Sequence, residues 1–577
     1  METKRRTFLK QTSIAATGVA MLPTTAWSIT KDTTEAPTDS ILKKLAAIHD
    51  QRINGLLTMQ LDQPGTRWDG GIINEYDIPN AHSTKNFITK IGGVYACKWS
   101  TFYLSPQLEK PLERAISCLC NVQYEDGTID LHSTNFHSTP DTAFLVNYLS
   151  PVYVVLKRIN RPGLKKSIAG LAQFIEQAGK CLGVGGIHTA NHRWVVCSAL
   201  ARVHSFFPSP AYLARIEEWL SEGIDIDPDG QYTEQSVATY SPVIDNMFIT
   251  LGKILGRPSF YDVVRKNLEM SLYYIQPGLE VLTDASGRQD SAQTRYVNSY
   301  YYAYRYMAIM DQNPVFAALC RQMEDQIPEK IASSAPLMAE LIEEAIFEQP
   351  LPVSGRIPDD YFKRFVYSGV FRIRRSNLDL SVIERNPTFL RFMKGRAVLQ
   401  SMRLHAAFFG SKGQFMSETA ELLGKKIILS RTMVHGYFQP FPEDRRTGDG
   451  DWSKMPRNQR EMTEVQTLTQ RVSIEEVDGK VTVEIGVEGT EQVPVSIELS
   501  FRAGGKLSGV TPDKRTENAY FLENGVGEYR VGTDVIRFGP GQAPHKWAQM
   551  RGMLPKQEGE SVYLTAYTPF RHTIELS

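Results

Sequence analysis

The spacing of apolar residues divides the chain into two parts that meet near residue 350. From about Ile41 to Phe347, apolar residues recur three and four positions apart, and the loops between these segments carry Gly, Pro and Asp. This spacing is typical of amphipathic α-helices, and we expect about ten to twelve of them. The clearest segments are Ile41 to Leu57, Leu112 to Val122, Ala143 to Ile159, Leu164 to Leu182, Trp194 to Phe207, Val237 to Leu255 and Tyr261 to Ile275.

Two loops of the helical part resemble each other. Tyr124 to Asp130 and Asp227 to Tyr232 both contain an Asp-Gly turn. A turn that recurs in this way predicts repeated helical hairpins, arranged as a closed or nearly closed ring.

Beyond a linker with three prolines, residues 348–358, the apolar period changes to two. The alternating segments are Phe365 to Arg374, Val481 to Val487 after an Asp478-Gly479 hairpin turn, Val493 to Phe501 and Val562 to Tyr567. Short strands with turn signals predict an antiparallel β-sandwich. The polar block from Glu443 to Met462 is expected to be a long surface loop.

The predicted organisation is therefore multidomain α+β. An incomplete (α/α) toroid of helical hairpins spans residues 40–347, and the sandwich spans residues 359–577. A chain of 577 residues is longer than one hydrophobic core supports, which agrees with more than one domain.

The amino terminus has the features of an export signal. Thr3 to Lys10 nearly matches the twin-arginine pattern, with Lys4 where Ser or Thr is usual, and a short apolar run, Ile14 to Leu22, precedes small residues. We expect residues 1–28 to be a signal peptide and the protein to be periplasmic or secreted in a bacterium. The alternative is an amphipathic first helix. The apolar run is too short for a permanent membrane span, which needs about twenty residues, and no later stretch reaches that length without charges.

Composition limits the function classes only loosely. The 64 basic and 64 acidic residues cancel, which argues against nucleic acid as the main partner, although a cleft can still be locally basic. The six cysteines include no Cys-x-x-Cys spacing, and reduced, buried thiols are expected. The sequence does not indicate an oligomeric state.

Two motifs carry candidate chemistry. Asn191-His192-Arg193-Trp194 stands at the head of an apolar helical run, and Tyr240 follows the second Asp-Gly turn in another helical segment. An amide that binds a carboxylate, with Tyr and His for proton transfer, suits removal of a proton next to a carboxyl group. That removal is the first step of β-elimination from a uronic acid. Each of these residues also has an ordinary structural explanation, as a helix cap or a core residue.

These motifs, in this order and in these two parts of the chain, resemble those of the heparinase II/III-like polysaccharide lyases. In that family a toroid is followed by a sandwich. The matching residues are Asn191-His192-x-Trp194, Asp229-Gly230-x-Tyr232-x-Glu234-x-Ser236-x-x-x-Tyr240 and Arg403 to Phe409. Gln235 departs from the family, in which many members have Gly after the Glu, so no single branch is assigned.

The resemblance implies a role for each matching residue. Asn191 would hold the uronate carboxylate, and Tyr240 would lie at the C5–C4 edge of the sugar. His192 and His405 would flank the sugar from the helical and β sides. Hydrogen bonds to the carboxylate would stabilise the dianion-like state that forms when C5 loses its proton. Tyrosine would remove that proton, and tyrosine or histidine would protonate the departing O4, which gives a 4,5-unsaturated uronate.

Further residues are expected to contact substrate. Asn135 and His137 lie in a polar loop after the first Asp-Gly turn, with Asp141 or Thr139 as the expected cap of the next helix. This loop should open at the same rim of the ring as Tyr240.

Basic and aromatic residues could complete a site for an acidic oligo- or polysaccharide. Arg193 lies inside the first motif, and Arg288 and Tyr296 precede a tyrosine-rich helical segment, Tyr300 to Tyr306. The alternative is an aromatic core face with solvated arginines. No cofactor is expected. Relatives with a structural metal in the sandwich suggest His405 and His435 as ligands, but their separation gives no support from local ligand spacing.

Two other function classes stay open. A glycoside hydrolase would need two facing carboxylates, and Asp229, Glu234 and Asp245 are available. A non-catalytic glycan-binding protein would keep aromatic platforms without the Asn-His-Tyr set. A serine hydrolase is disfavoured because the chain has no Gly-x-Ser-x-Gly motif. For a lyase, the preferred substrate is a glucuronate-containing glycan, with endo or exo cleavage open.

Overall fold

The computed structural model describes residues 39–577, so the predicted signal peptide, residues 1–28, lies outside the described residues. Thirteen α-helices fill the amino-terminal half of this described range. They are α1 (Asp39–Thr58), α2 (Ala81–Ala96), α3 (Pro106–Val122), α4 (Thr139–Ile159), α5 (Lys165–Val184), α6 (Ala190–Phe206), α7 (Pro210–Ser221), α8 (Tyr240–Leu255), α9 (Ser259–Ser271), α10 (Tyr301–Met310), α11 (Pro314–Gln326), α12 (Pro328–Ala332) and α13 (Leu337–Glu343).

The helices pair as hairpins, as the recurring turn predicts. α2 packs on α3, α4 on α5, α6 on α7, α8 on α9, and α10 on α11. The even-numbered helices from α2 to α10 also pack on one another in order, while α13 contacts both α2 and α4. The described residues thus contain thirteen helices where ten to twelve were expected. The difference arises because α12 and α13 are too short to show a helical period in the sequence.

The two Asp-Gly turns need glycine for a shared reason. Gly127 and Gly230 have φ of +91° and +98°. A Cβ on Gly127 would clash with the carbonyl oxygen of Gln177, and one on Gly230 would lie 2.5 Å from that of Lys266. Each turn therefore lies directly against the carboxyl-terminal part of a neighbouring helix, where only glycine fits.

Strands fill the second half, and four short strands lie among the helices. The short strands are β1 (Ile129–Leu131), β2 (Asn135–Ser138), β3 (Glu280–Val281) and β4 (Arg295–Tyr296). The others are β5 (Asp360–Phe365), β6 (Val370–Arg375), β7 (Leu378–Ile383), β8 (Leu390–Lys394), β9 (Ala397–Ala406), β10 (Thr419–Leu423), β11 (Lys426–Phe438), β12 (Met462–Val477), β13 (Lys480–Gly489), β14 (Pro494–Phe501), β15 (Lys506–Ser508), β16 (Thr511–Pro512), β17 (Ala519–Phe521), β18 (Gly527–Val531), β19 (Asp534–Gly539), β20 (Glu560–Tyr567) and β21 (Phe570–Leu576).

These strands form two large sheets. One has the order β16-β17-β20-β14-β9-β8-β7-β6-β5, and the other β10-β11-β12-β13-β21-β19-β18-β15. Leu399 and Leu404 of the first sheet and Leu429 and Val472 of the second belong to one buried apolar cluster. The chain is thus mixed α+β, with a helical half and a two-sheet half that each have their own core.

In the β half, one alternating segment is a hairpin rather than a single strand, and one predicted hairpin turn is confirmed. The alternating segment Phe365 to Arg374 is not one strand: it turns at Gly369, whose φ is +67°, and forms the β5–β6 hairpin. Alternation continued across the turn, so the sequence pattern concealed it. The Asp478-Gly479 hairpin turn is confirmed between β12 and β13.

Buried polar contacts join the two halves. Arg372 and Asp379 are both fully buried and pair at 2.7 Å, and Arg372 Nε also donates to the carbonyl oxygen of Tyr273 at 2.8 Å. Asp229, in the second Asp-Gly turn, accepts the backbone N–H groups of Tyr367 at 2.6 Å and Ser368 at 3.1 Å. The turn before Tyr240 is therefore attached to the β half.

Within residues 39–577, no helix combines the length and apolarity that a membrane crossing requires.

Candidate active site

The amino-terminal ends of the neighbouring helices α2, α4, α6 and α8 form the floor of the candidate site. These ends carry His82, Asp141, the pair Asn191 and His192, and Tyr240. A helix amino terminus presents free N–H groups and the positive end of the helix dipole, so several together favour an anionic ligand.

Tyr240 owes its position to a side-chain cap. Ser236 is fully buried, and its Oγ accepts the backbone N–H of Tyr240 at 3.1 Å and donates to Asp290 at 2.9 Å. This turn starts α8 at Tyr240, whereas the sequence pattern predicted a start at Val237. Tyr240 thus stands in the first turn of the helix and remains partly exposed.

The side chain of Asn191 is hydrogen-bonded to a carboxylate of the protein itself, that of Glu234. Its Nδ2 lies 2.8 Å and 2.9 Å from the two oxygens of Glu234, and its backbone N–H points to the same carboxylate at 3.3 Å. The remaining contact of Nδ2, to Thr189 Oγ1, is long at 3.3 Å. Its Oδ1 is buried without a hydrogen-bond partner among the described residues. A flipped amide would place two oxygens together, so Glu234 fixes the orientation of Asn191.

Arg288 connects Glu234 to Tyr240. Its Nε lies 3.6 Å from Glu234 Oε2, and its guanidinium carbon lies 4.8 Å from the centre of the Tyr240 ring. The Tyr240 hydroxyl donates to Gln289 Oε1 over a long 3.4 Å. The contact with Tyr240 and the charge of Glu234 raise the pKa of Arg288, which keeps its positive charge at this corner. The structure therefore brings together Asn191, Arg288 and Tyr240, as expected.

His192 is a neutral imidazole in this environment. It is 8% exposed, and its ring meets those of His188 and Phe144 edge-on. Burial, with the charges of His188 and Arg288, lowers the pKa of His192 to about 4. At neutral pH it can therefore accept a proton or donate a neutral N–H, but it carries no charge.

Asp141 collects the polar groups at the start of α4. It accepts hydrogen bonds from Ser138 and, at 2.8 Å, from Asn135, and His82 Nε2 lies 3.1 Å away. Burial opposes the shift, but these hydrogen bonds and the charge of His82 lower the pKa of Asp141 to about 2. The helix cap is Ser138, not Asp141 or Thr139, because Ser138 Oγ accepts the N–H of Asp141.

His137, on β2, is exposed and packs against the first Asp-Gly turn. Its ring stacks on Tyr124 at 3.9 Å, and its Nδ1 lies 3.0 Å from Asp126. Asn135, by contrast, reaches Asp141 and hence the floor of the site. The structure thus separates these two predicted sugar contacts by role, with Asn135 nearer to the four helix ends.

Arg193 is held by the loop after α7. Its guanidinium donates to Glu222 and to the carbonyl oxygen of Gly223, and pairs with Asp225 at 3.1 Å. It also lies 4.6 Å from the ring centre of Trp194, which is fully buried. These contacts give Arg193 a structural role, because they join the start of α6 to the loop after α7.

His405 lies on β9, fully buried on the face opposite the shared sheet core. Its neighbours Leu404 and Ala406 point into that core, while His405 Nε2 lies 3.2 Å from the carbonyl oxygen of Arg551. Burial lowers the pKa of His405 to about 4. The structure thus places His405 against the segment of Arg551.

Tyr296 lines a cavity on the inner side of the helices, with Lys330 Nζ 3.8 Å above its ring. It therefore lies near the site but does not belong to the cluster around Tyr240. In the part of the chain from residue 39 to 577, no group of three or more His, Cys, Asp or Glu side chains is arranged to hold a metal ion.

Sequence reasoning missed His82 and the structural use of Glu234. His82 follows the capping Asn80 at the start of α2, as His192 follows Thr189 at the start of α6. A histidine just after a helix cap was therefore a usable signal at both sites. Glu234 was weighed only as a hydrolytic carboxylate, and its distance of 43 residues from Asn191 concealed their contact.

The sequence matches no protein-family model and no curated protein. Solved structures do match over nearly the whole chain. A Paenibacillus xanthan lyase aligns with TM-score 0.56 and 10% identity over 94% of this chain and 57% of its own. Heparinase III aligns with TM-score 0.52 and 13% identity over 96% and 87%. A Streptomyces coelicolor chondroitin AC lyase in complex with chondroitin sulphate aligns with TM-score 0.54 and 13% identity over 95% and 80%.

This chain has the polysaccharide lyase fold. The resemblance inferred from the two motifs is confirmed at the level of fold. The chain spans 57% of the length of the xanthan lyase.

Proposed function

We propose that this protein is a polysaccharide lyase that cleaves the bond at C4 of a uronic acid by β-elimination. In this proposal the helical hairpins form an incomplete toroid, the two sheets form a sandwich, and the acidic glycan lies against the four helix ends. The fold shared with polysaccharide lyases supports it. The observation that carries it is the contact chain Asn191–Glu234–Arg288–Tyr240.

The charge of Arg288 suits the difficult step of such a reaction. Loss of the C5 proton spreads a second negative charge onto the uronate carboxylate. Arg288 and an N–H of Asn191 would stabilise that charge, and one preorganised donor of this kind is worth roughly 10²- to 10³-fold in rate. The N–H of Asn191 that faces Thr189 at 3.3 Å is its weakest contact, so a substrate carboxylate that displaces Thr189 would take it.

Tyr240 is proposed to move the protons. Its hydroxyl makes a long 3.4 Å hydrogen bond to Gln289 and lies beside the guanidinium of Arg288, so it can exchange Gln289 for substrate. As the tyrosinate beside Arg288, it would take the C5 proton, and the resulting phenol would protonate the departing O4. His192, neutral near pH 7, would bind the carboxylate edge or assist this transfer. His405, whose Nε2 lies 3.2 Å from the carbonyl oxygen of Arg551, takes no part in the proposed proton transfer.

The three carboxylates that could serve in hydrolysis each bind another group of the protein. Asp229 binds backbone N–H groups of the β half, Glu234 binds Asn191, and Asp245 accepts a 2.8 Å hydrogen bond from the buried Tyr232. Burial raises the pKa of Asp245 well above its usual range. An acid and a base carboxylate that face one another across a sugar are needed for hydrolysis, and these three do not supply that pair.

The proposed substrate is an acidic glycan that contains glucuronate, met in the periplasm or outside the cell. The chondroitin sulphate complex of a fold neighbour supports an acidic glycan. Because the chain has no net charge, the positive charge that binds an acidic glycan would come from local sites such as Arg288.

The test is to incubate the protein with a panel of uronate glycans and follow the ultraviolet absorbance of the unsaturated product. We expect product from at least one glucuronate-containing glycan and a loss of at least about 10³-fold in kcat for Tyr240→Phe, which lacks the acid–base hydroxyl. Tyr103→Phe, at a tyrosine 44% exposed, is the matched control. Sugar release without the absorbance would favour a hydrolase, and full activity of Tyr240→Phe would remove the proposed acid–base residue.

A further inference from the structure

A large cavity lies on the inner side of the helices, next to the candidate active site. Its volume is about 600 Å³, and its walls come from α2, α4, α8, the start of α10, and the segment from α12 to α13. Thr239 and Pro242 form part of the wall. We call this cavity the inner pocket. Since these two residues flank Tyr240 closely in sequence, the inner pocket begins beside the residue proposed to transfer the proton.

The walls of the inner pocket are rich in positive charge. Lys85, Lys90, Arg295 and Lys330 line it, against one carboxyl group, that of Glu340. Burial raises the pKa of Glu340 to about 8, so this carboxyl is largely uncharged at neutral pH. Burial lowers the pKa of Lys85 to about 7 and also lowers that of Lys90, so Lys85 carries only part of a charge at neutral pH. A protein without net charge thus gathers four basic side chains around one cavity.

The positive groups are accompanied by features that suit a sugar. Lys85 is 5% exposed and lies 4.6 Å from the ring centre of Tyr148, while Lys330 covers Tyr296. Asn246, also on the wall, has a buried Oδ1 with no hydrogen-bond partner among the described residues. An unpaired buried acceptor is costly, and a ligand hydroxyl would satisfy it.

The inner pocket continues toward the β half. A second cleft, of about 650 Å³, shares Thr294 and Arg295 with it and is lined by Arg391 and Arg502. Arg391 and Arg502 are partly neutralised by Glu280. Asp284 and Glu558 also line this cleft, and Arg391 lies 3.7 Å from Asp284. Arg295 is therefore the basic residue that the inner pocket and the second cleft share.

We propose that the inner pocket is a binding subsite for an anionic sugar unit, one that carries a carboxylate or a sulfate, of the acidic glycan. The lysines and Arg295 would pair with the anionic group, and Asn246 would accept a sugar hydroxyl. This assignment rests on the proposed function, because it places the unit within the same chain as the uronate that reacts at Tyr240.

The test uses small probes that need no knowledge of the natural glycan. D-glucuronate, D-glucose 6-sulfate and D-glucose are titrated into the protein by isothermal calorimetry. The test variant is Lys90→Ala/Lys330→Ala, at two partly exposed lysines of the inner pocket. The control is Lys165→Ala/Lys166→Ala, which removes the same charge from exposed positions on α5. A third variant, Arg288→Ala, separates the inner pocket from the active-site corner.

We expect at least one anionic sugar to bind more tightly than D-glucose, and the tighter of the two identifies the anionic group. The inner-pocket variant should weaken this binding about tenfold, which corresponds to about 1.4 kcal/mol, and the control should leave it unchanged. Arg288→Ala, which changes the separate site proposed for the reacting uronate, should weaken this binding less than the inner-pocket variant does. Equal binding of D-glucose, no binding of either anion, or binding lost only in Arg288→Ala would overturn the proposal.

A parallel activity assay distinguishes the two proposals. If no glycan yields unsaturated product while anionic sugars still require Lys90 and Lys330, the lyase proposal fails and the inner pocket stands. If product forms but sugar binding does not depend on Lys90 and Lys330, the lyase proposal stands and the inner-pocket proposal fails.

Discussion

Replacement of Glu234 by Gln tests whether this carboxylate positions the amide of Asn191. The carboxylate is almost buried, with its side chain 9% exposed, and receives Asn191 Nδ2 at 2.8 and 2.9 Å. Gln keeps the shape and one oxygen, but its NH₂ group faces either the amide of Asn191 or Arg288. A hydrogen bond to a charged group is worth about 1.5–3 kcal/mol, so we expect the free energy of unfolding to fall by about 2 kcal/mol.

The same change should act on catalysis. An amide freed from Glu234 rotates away from the orientation that serves the substrate, and a misplacement near 1 Å costs about 10²-fold. The loss should appear mainly in kcat, because the charge of Arg288 remains to bind substrate.

The assay combines urea unfolding with initial rates of unsaturated product. Glu222→Gln is the matched control, since it removes an exposed carboxylate that pairs with Arg193. Unchanged kcat and unchanged stability in Glu234→Gln would refute the positioning role. Lost stability with normal kcat would limit Glu234 to a structural role.

Three further predictions concern stability. The folded protein holds the pKa of His405 near 4 against 6.5 for the free group, so the unfolded chain takes up a proton first and stability should fall as pH falls from about 6.5 to 4. His405→Gln should reduce that fall by up to about 3 kcal/mol in urea titrations at several pH values, and an equal fall would contradict it. Gly230→Ala should lower the melting temperature strongly, because the added Cβ would lie 2.5 Å from a carbonyl oxygen. Gly256→Ala, where the Cβ would meet open space, is the control and should cost only about 1 kcal/mol of stability. Equal losses of melting temperature in the two variants would refute the steric argument. Arg372→Met removes the two short hydrogen bonds of Arg372 to the fully buried Asp379 and leaves it only Arg374 at 3.3 Å and Gln276 at 3.1 Å. This should cost about 3 kcal/mol by urea unfolding, and a neutral effect would show that the pair is dispensable.

Periodicity predicted the helices well and their ends less well. The helical spacing around Tyr240 continues back to Val237, but the backbone turns there because Ser236 caps the helix from within the loop. That cap depends on Asp290, which is 54 residues further along the chain from Ser236. A local pattern cannot show such a partner.

The candidate site was predictable where it depends on one short segment. Asn191, His192 and Tyr240 stand at helix starts, and the sequence pattern identified those starts closely enough. Arg193 is predicted as a substrate contact from its place in the same motif, but residues two apart on a helix point to different faces. In the structure its guanidinium pairs with Glu222 and Asp225, which no local pattern shows.

His405 shows a different limit. Alternation correctly predicts that Leu404 and His405 point to opposite faces of β9, but not what covers each face. The cover is the segment of Arg551, 146 residues away.

The attachment of Asp229 to the β half has a mechanical consequence. Its carboxylate accepts two backbone N–H groups of the β5–β6 turn, and Gly230 beside it leads into the segment that ends at Tyr240. If the two halves move apart to admit a glycan, either these bonds break or the turn moves with the sheets. The position of the Tyr240 hydroxyl is then a function of how far the cleft is open, so opening and proton transfer are geometrically coupled.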